Sequence, residues 1–91
     1  MFALVRDYGT VIDHESSVPV YRQVAAILRQ RIDDGTYQRG RRLPSITTLV
    51  QEFGIAQLTA RKALRVLVDE GVAEMSPGMG TFVRTQDEAR G

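Results

Sequence analysis

The sequence predicts a mainly α domain in which three helices are followed by a small β-hairpin. Three observations lead there. Apolar residues recur at spacings of three and four in three separate stretches before residue 71. Glycines at 35, 54 and 71 punctuate the ends of those stretches. Two short apolar runs then flank the turn cluster Ser76-Pro77-Gly78-Met79-Gly80.

The first helix opens at Pro19, where the missing N–H costs nothing. Val20, Val24, Ile27, Leu28 and Ile32 hold its apolar period, with Arg22, Gln23, Arg29, Gln30 and Arg31 mostly on the outer side. Gly35 ends it, and its role is core support. Tyr37 to Leu43 is a basic loop turning at Gly40, and Leu43 is expected to make a single bridge of sheet before Pro44. Ser45 caps a short second helix whose Leu49, Val50 and Phe53 face inward. Thr47 and Thr48 are β-branched and slightly unfavourable there.

Gly54-Ile55-Ala56 is a tight turn into the third helix, with Ile55 locking the two helices together. In that helix Ala60, Ala63, Leu64, Leu67 and Val68 share one face. Arg61, Lys62 and Arg65 lie on or beside the other, with no acid until Asp69. A short helix, a tight turn and a basic amphipathic helix make a helix-turn-helix. Strands at Val72–Met75 and Thr81–Arg84 add a wing, so the expected architecture is a winged helix-turn-helix over residues 18–84. Residues 1–17 read as an N-terminal arm or one or two strands, and residues 85–91 as a polar tail.

Composition bounds the function. Ninety-one residues form one small domain, 43% hydrophobic and 25% charged. There is no cysteine and one histidine, so neither disulfides nor a thiolate metal site are available, and no metal or cofactor is expected. No apolar run approaches membrane length and no signal peptide is visible, which gives a cytoplasmic expectation and no membrane partner. The net charge of +1 hides a distribution: Gln38 to Val66 holds six basic residues and one acid, between two mildly acidic ends. That is the pattern of a local anion-binding face. No nucleophile–base pair, phosphate loop or carboxylate pair suggests an enzyme.

The chain resembles the DNA-binding domain of the GntR family of bacterial transcription regulators. The resemblance runs through Pro19-Val20-Tyr21-Arg22-Gln23-Val24, Ile32-Asp33-Asp34-Gly35 and Gly40-Arg41-Arg42-Leu43-Pro44-Ser45. It continues through Phe53-Gly54-Ile55, Thr59-Ala60-Arg61-Lys62-Ala63-Leu64, Leu67, Glu70-Gly71-Val72 and Gly78-Met79-Gly80-Thr81-Phe82-Val83. It implies a regulator, usually a repressor, acting as a homodimer on a roughly palindromic double-stranded operator. It also implies DNA contacts at Ser45, Thr59, Arg61 and Gly78.

The charged faces add Arg41, Arg42, Lys62 and Arg65 as phosphate candidates, and Thr47, standing where the family has a DNA-contacting arginine, is expected at the site as well. Gln57 suits adenine, Arg61 guanine, and Leu58 or Thr59 a thymine methyl. The Pro77–Gly80 wing is expected on the DNA backbone or in the minor groove, although hairpin geometry alone would also call for its glycines.

Two departures from the family pattern matter. The family has Glu-Arg where Ile46 and Thr47 stand, and Val-Ser-Arg where Ile55-Ala56-Gln57 stand. The missing serine removes a helix cap worth about 1 kcal/mol, and the missing arginines imply a changed or relaxed sequence preference. Secondly, eight residues follow Val83, too few for the effector-binding domain of the family, so no small-molecule effector is expected. Any dimer contact then falls to Phe2–Ile12. The competing class is a winged-helix protein-interaction or accessory module with weak or non-specific DNA binding.

Overall fold

The computed structural model describes residues 12–85. Three helices, α1 (Val20–Asp33), α2 (Ile46–Phe53) and α3 (Gln57–Asp69), precede a hairpin of β1 (Ala73–Ser76) and β2 (Gly80–Val83). The arrangement is the expected winged helix-turn-helix. The strands are antiparallel, in register from Ala73 opposite Val83 to Ser76 opposite Gly80. The proposed dimer segment Phe2–Ile12 lies outside the described residues except for Ile12, which packs half-buried against the core.

The core is where the apolar period put it. Val24, Leu28, Leu43, Leu49, Leu67 and Val83 are essentially sealed from solvent, each contributing about 1.5–3 kcal/mol of burial. The most extensive helix pairing is α1 with α3. Ala60 and Ala63 are fully buried on the inner face of α3, so small side chains set that approach. Ile55 is buried in the turn between α2 and α3.

The helix ends have distinct chemistry. Ser45 is the N-cap of α2, and its Oγ accepts the Thr48 N–H at 3.1 Å while donating to Thr48 Oγ1 at 3.0 Å. Thr48 thus takes part in the cap, which offsets its modest helix propensity. Gly54 ends α2 in the left-handed region at φ 65°, a conformation a Cβ disfavours. At the end of α3 the Val72 N–H reaches the Leu67 carbonyl and the Gly71 N–H that of Val68, a Schellman closure.

Four expectations need correction. The isolated bridge is at Arg42, opposite Phe82, not at Leu43. Leu43 instead donates its N–H to the Thr81 carbonyl at 2.7 Å, and its side chain is buried. The strands sit one residue off the expected windows: the Val72 N–H closes α3, while its carbonyl still accepts the Arg84 N–H at the open end of the hairpin.

The other two concern α1, where periodicity put Gln23 and Arg31 outside. Gln23 is half-buried and pins residues 13–18 onto the helix. Its side chain accepts the Asp13 N–H and donates to the Asp13 and Val18 carbonyls, each at 2.8 Å. The Arg31 guanidinium pairs with Glu52 of α2 at 2.6 Å, donates to Tyr37 Oη at 2.7 Å and lies over the Tyr37 and Phe53 rings. The hydrogen bond to Glu52 raises its pKa above the ordinary arginine value, against desolvation, with Tyr37 adding to the rise. Periodicity registers where a side chain starts, not how far a long polar one reaches back.

Candidate nucleic-acid interface

A helix N-terminus exposes backbone N–H groups and a positive dipole end. The turn at Gly54-Ile55-Ala56 brings the N-terminus of α3 out of the core. Ala56 occupies its N-cap position with no side-chain hydrogen bond. Gln57 and Leu58 are exposed on the first turn and Thr59 is half-buried. None of the three side chains is tied up by a hydrogen bond among the described residues.

Between the wing and the α2–α3 unit lies an open groove of about 520 Å³. It brings together Arg42, Ser45, Thr47, Arg61 and Gly78, residues far apart in the chain and all expected at the site. No aspartate or glutamate lines it. Arg42 is held there by packing. Its guanidinium lies over the Phe82 ring, with Cζ 5.9 Å from the centroid. Its side chain also runs across Gly80, where a Cβ would meet Nε at 3.4 Å. Gly80, at φ 124°, thus provides both the hairpin conformation and the bed for this arginine.

The other expected site residues lie elsewhere. Lys62 is exposed but points away from the wing, its Nζ 5.6 Å from the Tyr21 ring centroid, and Arg22 faces the same ring at 5.5 Å. Two cations on one aromatic ring form a second positive cluster on the α1 flank of α3, one that residue spacing alone did not single out. Arg65 is paired with Asp69 one turn on, at 3.3 Å. Arg41 is exposed in the loop and contributes its backbone to the wing, the carbonyl accepting the Val83 N–H. Met79, which belongs to the expected wing, and Met75, expected only as a strand residue, line the groove with more than half of their surface exposed.

The charges therefore divide into two sets. Arg29, Arg31 and Arg84 pair with acids that join separate segments of the fold. Among the described residues Arg22, Arg39, Arg41, Arg42, Arg61 and Lys62 make no salt bridge and are exposed, the last four on the loop, groove and α3 surfaces.

A helix-turn-helix with a wing and an acid-free cationic groove beside its second helix defines the winged-helix class of nucleic-acid-binding domains. Within that class, the chain belongs to the gntR family of bacterial regulatory proteins, whose family model matches residues 20–83. It is 40% identical over 68 residues to the mannosyl-D-glycerate transport/metabolism system repressor MngR of Escherichia coli (strain K12), covering 75% of this chain and 28% of that protein. The chain spans less than a third of the length of this and two further curated relatives.

Among solved structures it resembles YtrA from Sulfolobus acidocaldarius, a GntR-family transcription factor. The TM-score is 0.77 at 35% identity, covering 85% of this chain and 81% of that one. It also resembles AraR(DBD) in complex with operator ORX1, with TM-score 0.73 at 32% identity, covering 80% and 92%. Among the described residues no helix is long and apolar enough to cross a membrane.

Proposed function

We propose that this domain binds double-stranded DNA in a sequence-dependent way and regulates transcription, as a repressor. The observation that carries this reading is the acid-free groove holding Arg42 and Arg61 beside the exposed start of α3. The likeness to a DNA-binding domain seen with its operator supports it. So does the repressor named among the relatives.

In this reading α3 enters the major groove. Arg61 pairs a guanine edge, Gln57 an adenine, and Leu58 or Thr59 packs against a thymine methyl. Arg41, Arg42 and Lys62 hold phosphates, with Ser45 and Thr47 at the start of α2 on the adjoining backbone. Arg65 is a weaker phosphate ligand, since Asp69 shares its charge. Gly78 allows close approach of the wing. A homodimer on a roughly palindromic operator is the assembly that matches two-fold symmetric DNA.

The test is selection of bound sequences from random duplex DNA, repeated with Arg61→Ala. An inverted-repeat motif that is recovered by the native protein and lost in the variant supports the regulator. Weak recovery with no preferred sequence indicates an accessory protein. Absence of binding at low salt indicates a protein-interaction module, a reading favoured by the polar, uncharged Thr47 and Gln57 where the family has arginines.

A further inference from the structure

Four large apolar side chains are exposed among the described residues: Val18, Leu58, Met75 and Met79. Val18 lies just before α1, beside Arg22 and Val66, and Leu58 belongs to the reading turn of α3. The two methionines have no such role, and both open into the groove that Arg42 and Arg61 flank. Met75 stands opposite Thr81 in the hairpin register, and Thr81 is buried at its base. Met79 is at the tip, between Gly78 at φ 79° and Gly80 at φ 124°. Bare backbone on either side leaves Met79 as the foremost side chain of the wing. A hairpin that needed only to turn would not require a 59% exposed thioether there.

What fits a channel with two unpaired guanidinium groups, no carboxylate and two flexible apolar side chains? The backbone of duplex DNA alternates phosphates with the C–H faces of deoxyribose. Unbranched, polarisable methionine adapts to such irregular apolar walls. It is also one of the side chains that wedge into the minor groove.

We propose that the groove seats one DNA strand at the edge of the minor groove, with Arg42 on a phosphate and Met75 and Met79 against the neighbouring sugar faces, while Arg61 reaches its base edge from the α3 wall. This rests on the DNA-binding reading above and adds to it a consequence. The wing contributes affinity through apolar contact, which releases no counterion and so does not weaken with salt. Met79 is then a wing-tip residue sensitive to minor-groove width rather than to charge.

The experiment measures Kd across a salt series for the native chain and for Met75→Ala, Met79→Ala, Met79→Lys and Arg61→Ala. The probe is a duplex recovered from the random-sequence selection. A mixed-sequence 30-bp duplex at low salt serves as a second probe. Each methionine-to-alanine change is expected to raise Kd on the order of tenfold by the same factor at every salt, leaving the log–log slope unchanged. Arg61→Ala should weaken binding to the selected duplex more than to the mixed-sequence one, and Met79→Lys should steepen the slope by about 0.9.

Both methionines are exposed, so thermal midpoints should stay at the native value. If Met75→Ala and Met79→Ala bind like the native chain while Arg61→Ala weakens, the apolar contact is wrong and DNA binding stands. If the native chain binds neither duplex, the DNA reading and this proposal fall together.

Discussion

Ala56→Ser is the substitution whose outcome can be worked most directly from the structure, because the fold contains its own control. Ser45 and Ala56 occupy the same position, the N-cap, on successive helices. Their backbones nearly coincide, at φ −72°, ψ 166° for Ser45 and φ −74°, ψ 157° for Ala56. At Ser45 this geometry carries Oγ to 3.1 Å from the Thr48 N–H, three residues on. A serine at 56 should therefore accept the Thr59 N–H without any backbone movement. Position 56 is exposed, so the hydroxyl meets no steric obstacle from burial.

The expected gain is about 1 kcal/mol. For a domain of this size that raises the thermal midpoint by about 4–8 °C. The assay is urea unfolding followed by circular dichroism, with thermal melts beside it. The denaturation midpoint should rise at constant m. The mirror change, Ser45→Ala, should lower stability by a comparable amount. The reasoning fails if Ala56→Ser leaves the midpoint where it was while Ser45→Ala lowers it. That result would mean the first turn of α3 is already satisfied by solvent to the same degree. Ala56→Asp adds a second arm: it should stabilise α3 through cap and dipole together, yet weaken DNA binding by placing an anion at the reading end.

Other expected outcomes are as follows. Arg31→Met should destabilise by roughly 1 kcal/mol, since it removes the hydrogen bonds to Glu52 and Tyr37 while solvent rehydrates the exposed Glu52 carboxylate; chemical denaturation measures it. Lys62→Ala should weaken DNA binding similarly for all sequences and lower the salt slope by about 0.9, whereas Arg61→Ala should also relax preference at one base pair by about 1–3 kcal/mol; titrations against single-base operator variants separate the two. Gly54→Ala should cost about 1–2 kcal/mol, because the residue sits at φ 65°, and Gly54→Asn less than that.

The Thr36 hydroxyl, and then its N–H, hold the Asp34 carboxyl below its ordinary value. A depressed native pKa stabilises above the unfolded pKa of about 3.9, and the stabilisation is lost as pH falls through the native value. The stability difference between the native chain and Asp34→Asn should therefore be flat above that pH and shrink below it in acid titrations.

The fold was legible because its signals are local and redundant. Ile55, Leu64 and Leu67 are buried as the helical period demands, and Gly54 and Gly71 take up the positive φ that ends each helix. The site was legible in its residue types but not in its grouping. Sequence spacing places Arg61, Lys62 and Arg65 together on one basic helix. The fold sends Arg61 to the wing, stacks Lys62 on Tyr21 and ties Arg65 to Asp69. Those partners come from other elements or from the next turn, and long side chains choose among them by reach. The bridge at Arg42 was missed by one residue for a related reason. Leu43 looks like the strand residue because it is apolar, but in the register it is the neighbour that faces Phe82.

The arginines also show why net charge says little about this chain. A total of +1 would suggest no preference for a polyanion. Yet Glu52, the one acid in the basic middle of the sequence, is spent on Arg31, a residue of α1 that stands outside that middle. Arg29 and Arg84 similarly engage Glu70 and Glu74 away from the groove. Each such pair joins separate segments of the fold and removes an acid that would otherwise lie free on the surface. Of the cations without an acid partner among the described residues, Arg42, Arg61 and Lys62 lie on α3 or beside the wing, Arg22 shares the Tyr21 ring with Lys62, and Arg39 and Arg41 lie in the loop before α2. Packing has thus sorted a nearly neutral composition into a stabilising ion-pair set and an exposed cationic face. Reversing one pair tests the sorting: Arg31→Glu with Glu52→Arg should retain much of the fold's stability while moving a positive charge toward α2. If DNA binding depends on where charge sits rather than on its total, the double variant should bind at least as tightly as the native chain at equal net charge. Weaker binding at retained stability would show that the orientation of α2, not the local charge, is what Arg31 supplies to the interface.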